Sequence, residues 1–236
     1  MSNTWFQFKQ FRVAQDACAM KVTTDACIQG AWTPVYQNVK QALDVGTGTG
    51  LLSLMLAQRN AALSIAAIEL DSAAMKQADG NVMASPWADR IHVLEGNACN
   101  HSFGHKYDLI ICNPPFFNNS LLSDAEQRNM ARHTLSLSQG ELLKVLADNL
   151  VEDGYASVLL PLQEYLLWQA LLQQNGWNEW AKLSVKHTAD AEVKRVISLC
   201  SRKAIQDIKE ETLVIKDDAG YTAAFRGLLS PFYLNL

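Results

Sequence analysis

The sequence lacks most of the features that usually announce a chemistry. No GxxxxGK[ST] occurs, which removes a phosphate-cradling P-loop. Its five cysteines are an odd number with no close CxxC pair, which argues against a disulfide framework or a zinc site and for reduced thiols. No run approaches the length of a membrane span, and the opening MSNTWFQFKQFRVAQD has no apolar h-region. A soluble, cytoplasmic protein is expected. Charge of one sign is also scarce. Twenty Lys and Arg against 24 Asp and Glu give a formal net charge of -4, unlike the basic balance of typical nucleic-acid-binding domains. Net charge says nothing of local patches, so that class is disfavoured and not removed.

What the sequence does have is apolar bulk, with 49% hydrophobic residues in 236. That is enough for one large domain. From about residue 41, short apolar runs alternate with amphipathic ones. The strand candidates are ALDVG (42–46), SIAAIEL (64–70), RIHVLEG (90–96), YDLIIC (107–112) and YASVLLP (155–161). Helical patterns occupy 50–60, 71–84 and 138–150, with another near 162–174. This is an α/β pattern, and its near-continuous apolar strands predict a doubly wound, mainly parallel sheet with helices on both faces. VKRVISLCS (193–201) and ETLVIKD (211–217) extend the sheet as strands expected to run antiparallel. Residues 1–40 are expected to pack on the core formed by 41–236, in a single domain overall. The polar stretch 118–137 is expected to form a lid-like connection.

Two places along this pattern carry chemistry. LDVGTGTGLL (43–52) sets Gly46, Gly48 and Gly50 at a strand-to-helix turn, where backbone can approach a ligand. A dinucleotide fingerprint needs a third glycine at the position of Leu51, so a nicotinamide cofactor loses support. Asp44 precedes the glycines and Glu69 ends the second strand. The carboxyl ends of neighbouring strands share one crevice, so Glu69 can accept hydrogen bonds from both hydroxyls of a ribose. Asp71 and Ser72 suit the cap of the next helix. The second place is CNPPFF (112–117). Prolines cannot donate to a strand ladder, and Asn113 before a proline is held extended. Asn-Pro is also a common turn initiator, so the ledge alone does not establish a site. Cys112 ends an apolar strand and suits a small core residue.

DVGTGTG (44–50), IELD (68–71) and NPPF (113–116) together resemble the Rossmann-type S-adenosylmethionine-dependent methyltransferases of exocyclic or amide nitrogens. The resemblance implies a seven-stranded sheet, S-adenosylmethionine as cofactor, S-adenosylhomocysteine as product and no metal, and strand order 3-2-1-4-5 sets the fourth strand beside the first. It places the glycine loop, with Gly46 and Gly48, at the cofactor's methionine end and Glu69 on its ribose, and Asp44 and Gly50 are further cofactor-binding candidates. Asn97 falls where the family usually has an aspartate against the adenine. Asn113 borders both cofactor and target. Its side-chain oxygen and the Pro114 carbonyl would accept the two N–H bonds of a planar target amine, with Pro115 stiffening the ledge and Phe116 stacking on the base.

FKQFRVAQDACAMKVTTDACIQGAW (8–32) and FYLNL (232–236) extend the likeness over nearly the whole chain, to the tRNA(Val) adenine-37 N6-methyltransferase family. That resemblance implies methylation of the adenosine 3′ of the anticodon, with the anticodon stem-loop as partner, and a monomer is expected. Within MKVTTDA (20–26), Thr24 and Asp25 match a segment closing over the cofactor's methionine end, although Thr24 also suits a helix cap. Arg128, Arg132, Lys194 and Arg195 are candidate phosphate contacts, the first two spaced to share a helical face. The alternatives are a release-factor glutamine N5-methyltransferase, an rRNA guanine N2-methyltransferase and a binding module without catalysis.

Overall fold

In a computed structural model, which describes residues 4–18, 20–114, 137–204 and 207–236, the chain begins with an antiparallel hairpin. Its strands are β1 (Trp5–Gln7) and β2 (Arg12–Ala14). Helix α1 (Thr24–Trp32) follows. Its cap is Thr23, whose side chain accepts from the Ala26 N–H, and not Thr24. The alternating core comprises β3 (Gln41–Val45), α2 (Leu51–Arg59), β4 (Ser64–Glu69), α3 (Ser72–Met83), β5 (Ile91–Glu95) and β6 (Tyr107–Cys112). Then come α4 (Gln139–Asn149), β7 (Leu150–Pro161), α5 (Leu162–Gln174), β8 (Asn178–Lys186), β9 (Arg195–Ser201) and β10 (Lys209–Val214). A small hairpin, β11 (Lys216–Asp217) and β12 (Gly220–Tyr221), precedes α6 (Ala223–Leu229).

Helix starts follow local chemistry. The Asp71 carboxylate accepts the Ala74 N–H at 2.8 Å and opens α3. Ser138 and Glu141 form a reciprocal capping box at the start of α4.

The main sheet has the order β10-β8-β9-β7-β6-β3-β4-β5. The five strands around the glycine turn are parallel and lie in the expected order, with β6 beside β3. Eight strands replace the expected seven. The additional strand is β8, NEWAKLSVK, whose side chains alternate between buried and partly exposed along its whole length. It therefore has no continuous apolar run to mark it. β9 is antiparallel to both β7 and β8, as expected, but β10 runs parallel to β8, against expectation.

Alternation along the central strands builds two cores. Ala42, Leu109, Ile111 and Leu159 face α1, α2 and α6. Leu43, Val45, Ile110, Val158 and Leu160 face α4 and α5, where Trp168 is fully buried. Each such large side chain contributes about 1.5–3 kcal/mol on burial. Both faces are covered, so the ligand-accessible places are the strand ends. The N-terminal segment packs on the first of these cores through Phe8, Phe11 and Ile28. Among the described residues no helix is long and apolar enough to cross a membrane.

Candidate active site

The carboxyl ends of β3, β4, β5 and β6 surround a cavity of about 610 Å³, a size suited to a cofactor. Gly46, Gly48, Glu69, Asn97, Asn113 and Pro114, from four separate stretches of sequence, all line it. The turn after β3 holds Gly46, Gly48 and Gly50 at φ of 70°, 57° and 81°, a left-handed region that side chains with a Cβ rarely enter. The Ile68 carbonyl accepts the N–H groups of Gly46 and Thr47 at 2.9 and 3.1 Å, fastening the turn to β4. Gly50 lies outside the cavity lining and instead lets α2 begin close to Ala78 of α3.

Asp44 lies beneath the turn, fully buried. Its Oδ2 accepts from the Thr47 hydroxyl at 2.6 Å, the Ser53 hydroxyl at 2.7 Å and the Ser53 N–H at 3.2 Å. Its Oδ1 has no hydrogen-bond partner among the described residues. Burial pushes the carboxyl up to about 6 despite the bonds to Thr47 and Ser53, which act in the opposite direction. Asp44 thus shapes the loop from below and does not line the cavity.

Glu69 does line it. One carboxylate oxygen accepts the Gly48 N–H at 2.9 Å, and the other accepts from Leu70 and Asp71 at 2.9 and 3.0 Å. Asn97 uses its side-chain oxygen to accept the Cys99 N–H at 2.9 Å. One lone pair on that oxygen and the amide N–H bonds are what it can offer a ligand.

At the opposite wall β6 ends on Cys112, followed by Asn113 and Pro114. The Asn113 amide nitrogen donates to the Met20 sulfur at 3.8 Å. Its Oδ1 is shielded from solvent and has no partner among the described residues. A buried amide oxygen left unpaired costs about 1–3 kcal/mol, so it favours any ligand that donates to it. The Cys112 thiol is driven well above its ordinary range by burial and then by Asp44 and Glu69, which makes it inert as a nucleophile at neutral pH. Met20 and Lys21 also line the cavity, from the MKVTTDA stretch rather than the Rossmann core. Their only sequence signal was the family-like segment in which they lie.

Thr24 and Asp25 sit elsewhere. Thr24 lies in hydrogen-bonding contact with Tyr233, whose hydroxyl also contacts Cys27. Asp25 pairs with Arg195, with Oδ2 and Nε 3.4 Å apart, and neither Thr24 nor Asp25 lines the cavity. The structure therefore joins one candidate from the cofactor set to one from the phosphate set, tying α1 to the start of β9. Lys194 is exposed beside this pair and acts electrostatically on Asp25. Pro115, Phe116, Arg128 and Arg132, and all of the expected lid except Leu137, lie outside the described residues.

The sequence and the fold both have counterparts. Residues 33–162 match the methyltransferase small domain. A "tRNA1(Val) (adenine(37)-N6)-methyltransferase" of Dyadobacter fermentans is 42% identical over 99% of this chain and 98% of its own. A protein of the same name from Vibrio vulnificus is 41% identical over 98% and 96% of the respective chains. In structure, a predicted O-methyltransferase from Agrobacterium tumefaciens superimposes with a TM-score of 0.70 at 13% identity, over 90% of this chain and 100% of the other. That likeness concerns the fold alone. With the domain matched over residues 33–162 and this identity over nearly its full length, the chain belongs to the tRNA1(Val) (adenine(37)-N6)-methyltransferase family of small-domain methyltransferases.

Proposed function

We propose that this protein methylates the exocyclic N6 of adenine 37, just 3′ of the anticodon, in tRNA(Val). The observation that carries the reading is Asn113 Oδ1, buried and without a partner among the described residues, beside a cavity lined by Gly46, Gly48 and Glu69.

The cavity residues fit S-adenosylmethionine. A Cβ on Gly46 would meet no atom of the described residues within 4 Å, so the backbone there opens onto the cavity. Glu69, already fixed by three backbone N–H groups, presents a carboxylate suited to ribose hydroxyls. Asn97 lies at the third strand end, where it can meet the adenine edge. When bound, S-adenosylmethionine supplies a methyl group on a positively charged sulfur and leaves as S-adenosylhomocysteine.

The chain's own residues hold the target. The N6 lone pair of adenine is delocalised into the ring, and the amine must become more tetrahedral to react. Asn113 Oδ1 accepts one N–H and the Pro114 carbonyl the other, which favours that geometry. Phe116 supplies a face for the base. The proton leaves from nitrogen to solvent, so no dedicated base is required. Orientation of this kind accounts for a large part of the barrier reduction in such reactions. Bases of an anticodon loop are partly unstacked, which makes extrusion into a pocket inexpensive. Lys194, Arg195, Arg128 and Arg132 contact phosphates around that base, in the same reading.

Incubation with S-adenosylmethionine and tRNA(Val), followed by nucleoside mass spectrometry, tests this. N6-methyladenosine at position 37 is the expected product. Methylated guanosine, or methylation only of a release-factor glutamine, overturns the target assignment while leaving the methyltransferase intact.

A further inference from the structure

Gln29 is a fully buried amide on α1, at 0% exposure, in a helix that precedes the methyltransferase core. Its Nε2 donates to the Cys112 carbonyl at 3.0 Å and to the Ser157 carbonyl at 3.1 Å, with a longer contact to Ser157 Oγ at 3.4 Å. The side chain therefore bridges β6 and β7 at the point where β6 gives way to the Asn-Pro ledge. Ser157 Oγ is in turn hydrogen-bonded to Thr33 Oγ1 at 2.7 Å, so α1 is joined to β7 at two positions.

The Cys112 carbonyl shares a planar peptide unit with the Asn113 nitrogen. Whatever fixes that carbonyl also fixes the N–Cα bond of Asn113, and the following proline restricts the rotation about that bond, so together they set where the side chain leaves the backbone. Ladder pairing cannot continue the task, because Pro114 has no N–H to donate. α1 is a firm platform for it. Gly30 approaches Met55 of α2 so closely that an added Cβ would lie 2.8 Å from the sulfur. The Arg59 guanidinium donates to the Gly30 carbonyl at 2.9 Å and also to that of Thr33, and the Tyr155 hydroxyl donates to the Pro34 carbonyl.

We infer that Gln29 is a positioning residue for methyl transfer, holding the Cys112–Asn113 peptide so that Asn113 meets the target amine in register. The inference rests on the proposed role of Asn113. Gln29 touches neither cofactor nor target, and it does not line the cavity. Its loss shows in the chemical step, where a displacement of about 1 Å costs on the order of a hundredfold.

The test compares Gln29→Met, which keeps bulk and removes the donor, with Ser157→Ala, which removes a hydroxyl but leaves the Cys112 contact. Single-turnover rate, KM for tRNA(Val) and calorimetric affinity for S-adenosylmethionine are measured for both. Gln29→Met is expected to lower the single-turnover rate at least tenfold, with cofactor affinity and KM within twofold of the parent. Ser157→Ala is expected to lower the melting temperature and leave the rate within twofold. A folded Gln29→Met with the parent's rate overturns the inference, and so does an equal loss of rate in Ser157→Ala. Should Gln29→Met fail to fold, Gln29→Glu gives the same decision through its pH profile. A protonated carboxyl can donate to the Cys112 carbonyl and a carboxylate cannot, so activity relative to the parent falls as pH rises. A profile parallel to the parent's overturns the role. A parent inactive on tRNA(Val) but active on another nitrogen refutes the target assignment alone, and the same rates are then read on that substrate.

Discussion

The Glu69 carboxylate accepts the Gly48 N–H at 2.9 Å. This bond adds to those of the Ile68 carbonyl in coupling the end of β4 to the glycine turn after β3, so the residue proposed to hold the ribose also holds the loop proposed to hold the methionine end. Its other oxygen accepts from Leu70 and Asp71. A carboxylate already ordered in the free protein loses little conformational freedom on engaging a ligand.

Glu69→Ala is therefore expected to weaken S-adenosylmethionine binding at least tenfold, about 1.4 kcal/mol, with the fold retained. Glu69→Gln keeps an oxygen for the Gly48 N–H and is expected to lose less. Calorimetric titration reads both, and unchanged affinity in the alanine variant refutes the ribose assignment.

Asn113→Ala is expected to bind cofactor normally and to lose most of its turnover, since the amide oxygen faces the target nitrogen in this mechanism. Phe116→Ala should lower target binding and rate together, whereas Phe116→Tyr should be mild. A near-normal single-turnover rate in Asn113→Ala would make the ledge structural only.

The buried Asp44 carboxyl predicts a pH dependence of stability. Its value is about 6 in the folded chain against 3.8 for the free group. Between these values the unfolded chain has lost a proton that the folded chain keeps, so this group's contribution to stability falls as pH rises through the window. Above pH 6 it changes no further, at a cost of about 3 kcal/mol. Asp44→Asn removes the ionisation, so its stability relative to the parent is expected to rise from pH 4 to pH 6. Urea denaturation across this range gives the difference, and parallel curves for the two proteins contradict it.

Substrate binding should be strongly salt-dependent despite the net charge of -4. Each phosphate neutralised contributes about 0.7–0.9 to the slope of log K against log salt. Replacing Arg128 and Arg132 with glutamate is expected to weaken tRNA binding and flatten that slope, with cofactor affinity unchanged. Filter binding at several salt concentrations decides it, and an unaltered slope removes both arginines from the interface.

The sequence by itself determined the elements whose signal is local. Tyr107–Cys112 and Leu162–Gln174 have the predicted bounds, and α2 and α3 differ from prediction by one residue at each end. Apolar runs, caps and glycine turns act over a few residues, so one stretch of sequence carries each signal. The common location of Gly46, Gly48 and Glu69 was also legible, because parallel strand ends in a doubly wound sheet share a crevice, and the family resemblance added Asn97. Tertiary structure alone decided the rest. β8 alternates buried and partly exposed residues beside charged ones, and its pairing with β9 and β10 depends on strands distant in sequence. Asp25 and Arg195 are 170 positions apart and meet only because α1 packs on the sheet with its first turn beside the start of β9. Gln29 lies 83 positions from the carbonyl it holds. A polar side chain's role depends on which unpaired backbone group the fold brings to it, and no local pattern encodes that meeting.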